Sequence, residues 1–563
     1  MSNFLIWLDA NPERYCWIVC AVFSIAAFYA FRPLLGNSGD RDRSTSDWRW
    51  GWVILAALLA GRWPTLFLDF ELNCDESYLI SGAHTLRYDP VFWRSVDTQT
   101  SGPLNSYALL PVGSILGRDT FLSARITALL LLACALLFVH QSAALFFGRT
   151  AARLAGLATL FFEALTIYPE FLYYSSELVS IALLAAAFYL GARTAVTKSA
   201  KNSVWFGTGL LLGTVPFAKL QGAPAAAFLW LAFLLQDAFS PRDATMPPRW
   251  KSWTALMAGS LFPVLFFSAM TLTTGVWRSA WISYFLNVFE YVDQGKLTTA
   301  QVAAGFIGLT NREGALIQPW WLTTACLVLA LLPLKRTRLV ATRWFLLGAG
   351  GFLLVSVFCV LTPHRAFPHY LQFIVFPWTL LVSAATGVLL QTREDRISAF
   401  ARTAPALLIC IPVAVVFYQG IKTTHPSLFG SNAFNAQSNA PLPQTLQRYT
   451  RPGESMAVWG WMPQYYVALG LPQATRDAVS NNLFIPNPNQ SYFRRRYLED
   501  LRRSLPPLFV DAARTNQNPR LREYLHADPD LDFVELTAFV REHYTQIQEL
   551  DGSRIYVRND RLP

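Results

Sequence analysis

The first three quarters of the chain carry long, nearly unbroken apolar blocks, whereas the last quarter alternates short apolar runs with polar ones. About 20 consecutive apolar residues cross a hydrocarbon layer some 30 Å thick. Blocks of that kind stand at roughly 15–31, 50–68, 121–147, 154–172, 177–192, 203–218, 222–239, 252–274, 316–334, 344–363, 369–390 and 404–421. They predict a polytopic α-helical membrane protein with about twelve transmembrane helices. The run Pro103–Gly117 is too short to cross and reads as a helix lying along the membrane. That leaves 69–120 as one large outer loop and 275–315 as a second. Residues 1–421 then form a multispanning domain.

The pattern changes in 422–563. A polar stretch rich in Asn, Ser and Pro (Ser427–Pro443) is followed by a strand at Ser455–Trp459 and a helix at Pro463–Gly470, closed by Gly470. A basic amphipathic helix is expected at Ser491–Ser504, a buried strand at Leu508–Asp511 and a short helix at Leu536–Glu542. Gln546–Leu550 and Arg554–Arg558 flank Asp551-Gly552, a two-residue hairpin signal. This alternation predicts a small C-terminal α/β soluble domain.

Composition sharpens the division. Of the 563 residues, 53% are hydrophobic and only 15% charged, against about 25% charged in an ordinary soluble domain. Residues 1–421 hold 30 Lys/Arg and 22 Asp/Glu, whereas 422–563 hold 16 and 14. A net charge of +10 would suggest nucleic acid in a soluble protein. Here most of the excess sits between membrane spans, where cytoplasmic loops attract positive residues, so no nucleic-acid partner is expected. One set of loops carries nineteen Lys/Arg and the alternate set nine. The richer side is assigned to the cytoplasm, which puts both termini, the tail and the loop 69–120 outside. Met1–Asn11 has no basic start, and no cleavable signal is expected. Six of the seven cysteines lie in apolar runs, and no CxxC knuckle is present.

The outer loop 69–120 is acidic, with Asp69, Glu71, Asp75, Glu76, Asp89, Asp97 and Asp119 against Arg87, Arg94 and Arg118. Asp75-Glu76 follows a span end by seven residues, where partial loss of water raises a carboxylate's basicity. The bland alternative is a solvated loop with helix-capping acids. Cations recur at the same predicted surface: Lys219 at one span end, and His364, Arg365, His369 and Tyr370 in one short turn. A Lys and an Arg there suit a lipid phosphate, or merely snorkel to ordinary membrane lipids. Arg62 and Arg125 fall inside apolar runs, where ionisable groups are functional suspects. Glu163, Glu170 and Glu177 flank a turn whose Tyr168, Tyr173 and Tyr174 read as an interfacial aromatic belt. Gly207-x-Gly209-x-x-x-Gly213 reads as close helix packing, His140 as a core histidine, and Asp528-x-Asp530-x-Asp532 as a capping loop.

From Asn73-Cys74-Asp75-Glu76-Ser77-Tyr78 onward the sequence resembles the lipid-linked sugar transferases of the GT-C fold. Its nearest likeness is to the dolichyl-phosphate-mannose protein mannosyltransferase and aminoarabinose transferase group. Asp97 with Gly102-Pro103-Leu104-Asn105-Ser106-Tyr107, Ala124-Arg125, the Lys219 segment, Phe367-Pro368-His369-Tyr370-Leu371 and Val458-Trp459-Gly460-Trp461 extend the likeness. Where the family often has His-Pro-Pro-Leu, this chain has Ser101-Gly102-Pro103-Leu104.

The resemblance implies a membrane glycosyltransferase. It would move a sugar, with inversion, from a polyprenyl-phosphate donor to an envelope lipid, polysaccharide or protein at the outer (periplasmic) face of the plasma or bacterial inner membrane. Asp75 is the expected base, with Glu76 or Asp97 orienting the acceptor or holding a divalent ion. Lys219, Arg365, His364, His369, Tyr370, Arg94 and Glu177 are the expected donor-side residues. Carboxylates without His or Cys company suit Mg²⁺ or Mn²⁺, and the same residues also work metal-free. The competing class is a transporter or flippase of lipid-linked glycans, which needs charged residues through the bundle rather than on one face.

Overall fold

The computed structural model describes residues 12–35, 47–166, 168–197, 201–240, 248–312, 340–391, 410–411, 413–415, 418, 441–513, 533–550 and 552–562. From the N-terminus the main helices are α1 Pro12–Leu35, α2 Trp48–Leu66, α3 Cys74–Leu86, α4 Pro103–Tyr107, α5 Leu110–Leu116, α6 Phe121–Phe147, α7 Arg149–Leu165, α8 Glu177–Thr197 and α9 Asn202–Ala218. They continue as α10 Ala223–Phe239, α11 Arg249–Thr273, α12 Asn287–Asp293, α13 Thr299–Arg312, α14 Val340–Leu361, α15 Gln372–Gln391, α16 Gln464–Leu469, α17 Gln490–Ser504 and α18 Val534–His543. Seven stretches among the described residues are long and apolar enough to cross a membrane, from Glu13–Pro33 to Pro368–Gly387. The chain is an integral membrane protein, mostly helical, with a small sheet near its C-terminus. The span expected at 316–334 lies outside the described residues. So does that at 404–421, apart from the few helical residues at 410–411, 413–415 and 418.

The chain divides into two compact units. The first gathers Met1–Thr65, Ala128–Ala269 and Val292–Ser431; the second gathers Leu66–Thr127, Met270–Tyr291 and Asn432–Pro563.

In the first unit, helices close on one another through small residues. A methyl group at Gly209 would lie 2.0 Å from the Leu256 carbonyl oxygen, and one at Gly213 would lie 2.2 Å from that of Ser260. Gly209 and Gly213 of α9 therefore form a contact face for α11, the close helix packing that their spacing predicts. Arg62 and Glu163, from α2 and α7, neutralise each other in the apolar interior. His140 is buried and contacts Asp47, which also accepts from Arg153 at 2.7 Å.

In the second unit, β1 Met456–Trp459, β2 Leu508–Asp511, β3 Tyr544–Leu550 and β4 Ser553–Arg558 form a sheet of order β1-β2-β4-β3. β1 and β2 run parallel with Met456 opposite Leu508; parallel neighbours need a crossover, and α17 lies in it. β3 and β4 form the hairpin expected around residues 551–552. Gly470 takes the left-handed conformation (φ 61°) that ends α16. Trp459, Phe493, Tyr497, Leu501 and Phe509 are part of the core over the sheet.

The loop 69–120 is more ordered than its polarity suggests: it contains α3, buried along most of its length. The single helix expected at Pro103–Gly117 is two short ones, α4 and α5. The aspartate series at 528–532 lies outside the described residues.

Candidate active site

Asn73 caps α3, its side chain accepting the Asp75 N–H at 3.0 Å. Asp75 and Glu76 thus occupy the first turn, where the helix dipole favours negative charge, but their surroundings differ. Glu76 is fully buried and receives two prongs of Arg125, Nε to Oε1 at 2.9 Å and Nη2 to Oε2 at 2.8 Å. Arg125 also donates to the carbonyl oxygens of Leu68 (2.6 Å) and Phe70 (2.7 Å), so one guanidinium folds 68–76 around itself. Asp75 stays half-buried at the helix start. Glu71 lies just ahead of α3, and the Ser77 hydroxyl donates to its Oε2 at 2.6 Å. Burial pushes the Glu71 carboxyl up to about 7, and the negative charges of Glu76 and Asp75 add to the effect.

Asp97 is buried as well. Its Oδ2 accepts from Arg496 Nη1 at 2.6 Å and its Oδ1 accepts the Gln99 N–H at 2.9 Å. The other terminal nitrogen of Arg496 donates to both oxygens of Asp477, at 2.6 and 2.7 Å, while Nη1 also reaches Ser283 Oγ at 2.7 Å. Two carboxylates share this one cation, and burial raises Asp477 to about 6. Nearby, the Asp97 N–H donates to the Arg476 carbonyl at 2.7 Å. The 473–477 segment also grips α3: Gln473 N donates to Thr85 Oγ1 (3.0 Å) and Gln473 Nε2 to Ser81 Oγ (2.8 Å). Arg94 is exposed and held by Asp89 through two hydrogen bonds, of 2.8 and 2.6 Å.

Glu76 and Asp97 each give both oxygens to other partners, with a guanidinium on each. Among the described residues no group of three or more His, Cys, Asp or Glu is arranged to hold a metal ion. Two of the three carboxylates expected to hold a divalent cation, Glu76 and Asp97, are thus already engaged by arginines.

In the first unit, two of the expected cationic residues, Lys219 and His369, meet around Glu177. Lys219 Nζ donates to Glu177 Oε1 and to Ser176 Oγ (2.6 Å), and lies 5.0 Å from the centre of the Tyr370 ring. His369 Nδ1 is 2.5 Å from Glu170 Oε2 and 3.0 Å from the Tyr173 hydroxyl, and its Nε2 is 3.9 Å from Glu177. Lys219, Glu177, His369 and Tyr370 therefore form one buried cluster, joined by Glu170 and Tyr173. Arg365 is buried, and His364, at φ 53°, turns its Nδ1 to the Leu297 carbonyl oxygen at 2.9 Å. Tyr173 and Tyr174 are 1% and 0% exposed, which corrects the expectation of an interfacial aromatic belt for these two, whereas Tyr168 is half-buried.

Arg496, Asp477 and Glu71 escaped the expected set. Arg496 sits in a run of three arginines (494–496) that reads as a solvated face, and nothing in that run marks the one that points inward. Glu170 lies in the short turn Pro169–Phe171 and Glu177 at the start of α8, and the irregular segment between them brings both to His369.

No protein-family model matches the chain, and no curated protein matches it in sequence. Solved structures do match it in shape. The crystal structure of ArnT from Cupriavidus metallidurans bound to undecaprenyl phosphate superposes with a TM-score of 0.58 at 13% identity, covering 91% of this chain and 98% of that one. The apo form of the same protein gives 0.56 with the same identity and coverage. The oligosaccharyltransferase AglB from Archaeoglobus fulgidus, in complex with an inhibitory peptide and a dolichol-phosphate, gives 0.47 at 12% identity over 92% and 75% of the two chains. The likeness to ArnT establishes that the fold is the GT-C fold.

Proposed function

We propose that this protein is a GT-C glycosyltransferase. It transfers one sugar from a polyprenyl-phosphate donor to an envelope lipid, polysaccharide or protein at the outer face of the membrane. The observation that carries the reading is the split within Asp75-Glu76. Arg125 locks Glu76, while Asp75 is held half-buried at the helix start by the Asn73 cap. The fold shared with a structure that holds undecaprenyl phosphate supports the donor class.

In this mechanism Asp75 takes the proton of the acceptor hydroxyl or amine. The acceptor attacks the anomeric carbon opposite the phosphate, the bond from that carbon to the phosphate oxygen breaks, and the configuration inverts. Lipid phosphate leaves with the electron pair. Lys219 stabilises that anion; its ammonium has three N–H groups, of which Glu177 and Ser176 engage two. Arg365, His364, His369 and Tyr370 complete the donor side, with Glu177 fixing the Lys219 amine. Glu76 and Asp97 act as positioning residues rather than acceptor ligands, and Arg94, exposed and paired with Asp89, is left out of the set.

The test is a lipid analysis of cells with the gene, without it, and carrying only Asp75→Asn. A polyprenyl-phosphate sugar accumulating in the last two, beside an under-glycosylated envelope component, names both substrates. No accumulation in either strain overturns the assignment.

A further inference from the structure

The run 277–289 belongs to the second unit and is helical throughout: Trp277–Ala280, a π-helical stretch Trp281–Leu286, and the start of α12. Its two sides differ. On one side Ser279 Oγ accepts the Tyr492 hydroxyl at 3.0 Å and Arg476 Nη1 at 3.4 Å. Ser283 Oγ accepts Arg496 Nη1 at 2.7 Å, and the buried Tyr284 ring lies 6.1 Å from that of Trp93. That side is docked on α17 and its neighbours. On the other side stands an aromatic ridge at every fourth residue: Trp277, Trp281, Phe285 and Phe289. The Trp277 and Trp281 rings stack 6.0 Å apart, and Phe285 follows at 5.5 Å. Yet Trp277, Trp281 and Phe289 remain 42%, 46% and 69% exposed. A contiguous apolar surface left open in this way marks a place where something binds.

Two observations choose the occupant. The ridge starts four residues after Thr273, where the 25-residue membrane span Arg249–Thr273 ends, and four residues reach at most about 14 Å. The free side also offers no carboxylate or amide to bind a sugar's hydroxyls. Across 277–289 the one charged residue is Arg278, whose guanidinium lies 5.6 Å from the centre of the Tyr492 ring. Ser279 and Ser283 are engaged on the docked side, and Asn287 is buried. Tryptophan, apolar over its ring face with a single N–H at its edge, settles at the boundary between headgroups and acyl chains. We infer that 277–289 is an interfacial helix, with Trp277, Trp281, Phe285 and Phe289 seated in the headgroup layer of the bilayer on the side where α11 ends. The docked side holds Arg496, which also binds Asp97 and Asp477. One short helix therefore grips both the lipid surface and the cation that two buried carboxylates share. This inference does not depend on the transfer reaction.

The test uses the full-length chain in phosphatidylcholine nanodiscs, with its seven cysteines replaced by serine. A nitroxide is attached at Trp281→Cys, at Phe289→Cys or, as the aqueous reference, at Gln548→Cys, an exposed position on β3. Relaxation of the nitroxide by oxygen, which concentrates in lipid, is compared with relaxation by a water-soluble nickel chelate. At 281 and 289 the nickel effect should fall below the reference while the oxygen effect rises above it. Nickel relaxation equal to the reference overturns the inference and leaves the ridge open to a water-borne glycan. Loss of both effects overturns it in favour of a protein cover, such as a second copy. A second measurement keeps the native cysteines. The emission lost on changing Trp277→Phe and Trp281→Phe together should be emission that a phosphatidylcholine brominated high on its acyl chains quenches. Emission quenched by aqueous iodide instead overturns the inference as well.

Discussion

Arg125 and Glu76 meet through two parallel hydrogen bonds, of 2.9 and 2.8 Å, with their side chains 1% and 0% exposed. Removing one member of such a pair leaves the other charged and dry, at a cost of about 3–5 kcal/mol, whereas replacing both is far milder. Glu76→Gln and Arg125→Met should each lower the melting temperature in detergent sharply. The double variant should recover much of the loss. Additive losses would show that the two do not act as a pair.

Asp75→Asn keeps the size of the side chain and removes its capacity to accept a proton. Loss of a general base typically costs about 10²–10⁴ in rate. Transfer by purified protein should fall by that factor while the thermal unfolding curve stays in place. A variant within a few-fold of wild type would shift the role elsewhere.

Lys219→Ala and Arg365→Ala should raise the KM for donor more than that for acceptor. A lost charge-assisted hydrogen bond of about 1.5–3 kcal/mol corresponds to about 10- to 100-fold. Lys219→Ala also leaves Glu177 buried without its amine, so Lys219→Ala combined with Glu177→Gln separates a folding defect from a donor defect. Equal changes in both KM values would remove Lys219 from the phosphate side.

Asp119 is buried, which opposes its ionisation, yet Arg87 and His84 hold its carboxyl below the ordinary 3.8. The folded chain keeps Asp119 ionised at a pH where the unfolded chain has taken up a proton. The stability from this group is complete above about pH 3.8 and drains away as pH falls through the depressed value. Arg87→Met should therefore melt below wild type at pH 7, and the gap should narrow on acidification into that range. A gap independent of pH would assign the loss to packing.

Gly209→Ala should destabilise the first unit by about 1–3 kcal/mol, the usual cost of overpacking. The new methyl group meets the Leu256 backbone 2.0 Å away, and backbone does not yield as a side-chain tip does. Gly207→Ala, whose methyl group meets only Leu190 at 3.7 Å, is the matched control. Equal melting temperatures for the two would refute the close approach.

Much of the fold was legible because membrane spans are long signals: the apolar block 121–147 is α6 to the residue. The tail was legible because its turn chemistry agrees with its strand pattern, as Gly470 and the hairpin at 551–552 show. Ser77 and Thr85, by contrast, lie on a helix that polarity alone assigned to a loop. A polar sequence forms a buried helix when partners distant in sequence, such as Gln473, satisfy its hydroxyls. The candidate site was half legible for a similar reason. Residue type marked Asp75 and Lys219, but the difference between Asp75 and Glu76 depends on which one Arg125 reaches, and a sequence separation of 49 carries no periodic signal.

The hydrogen bond between Arg496 and Asp97 spans 399 positions of the chain. A ribosome therefore finishes the acidic loop long before it makes the guanidinium that Asp97 needs. Throughout that interval the loop has a carboxylate without its counter-ion, and Ser81 and Thr85 without Gln473. Competence of this loop is thus a late event in biosynthesis, and a chain cut short before residue 496 would have its acids in place but not their setting.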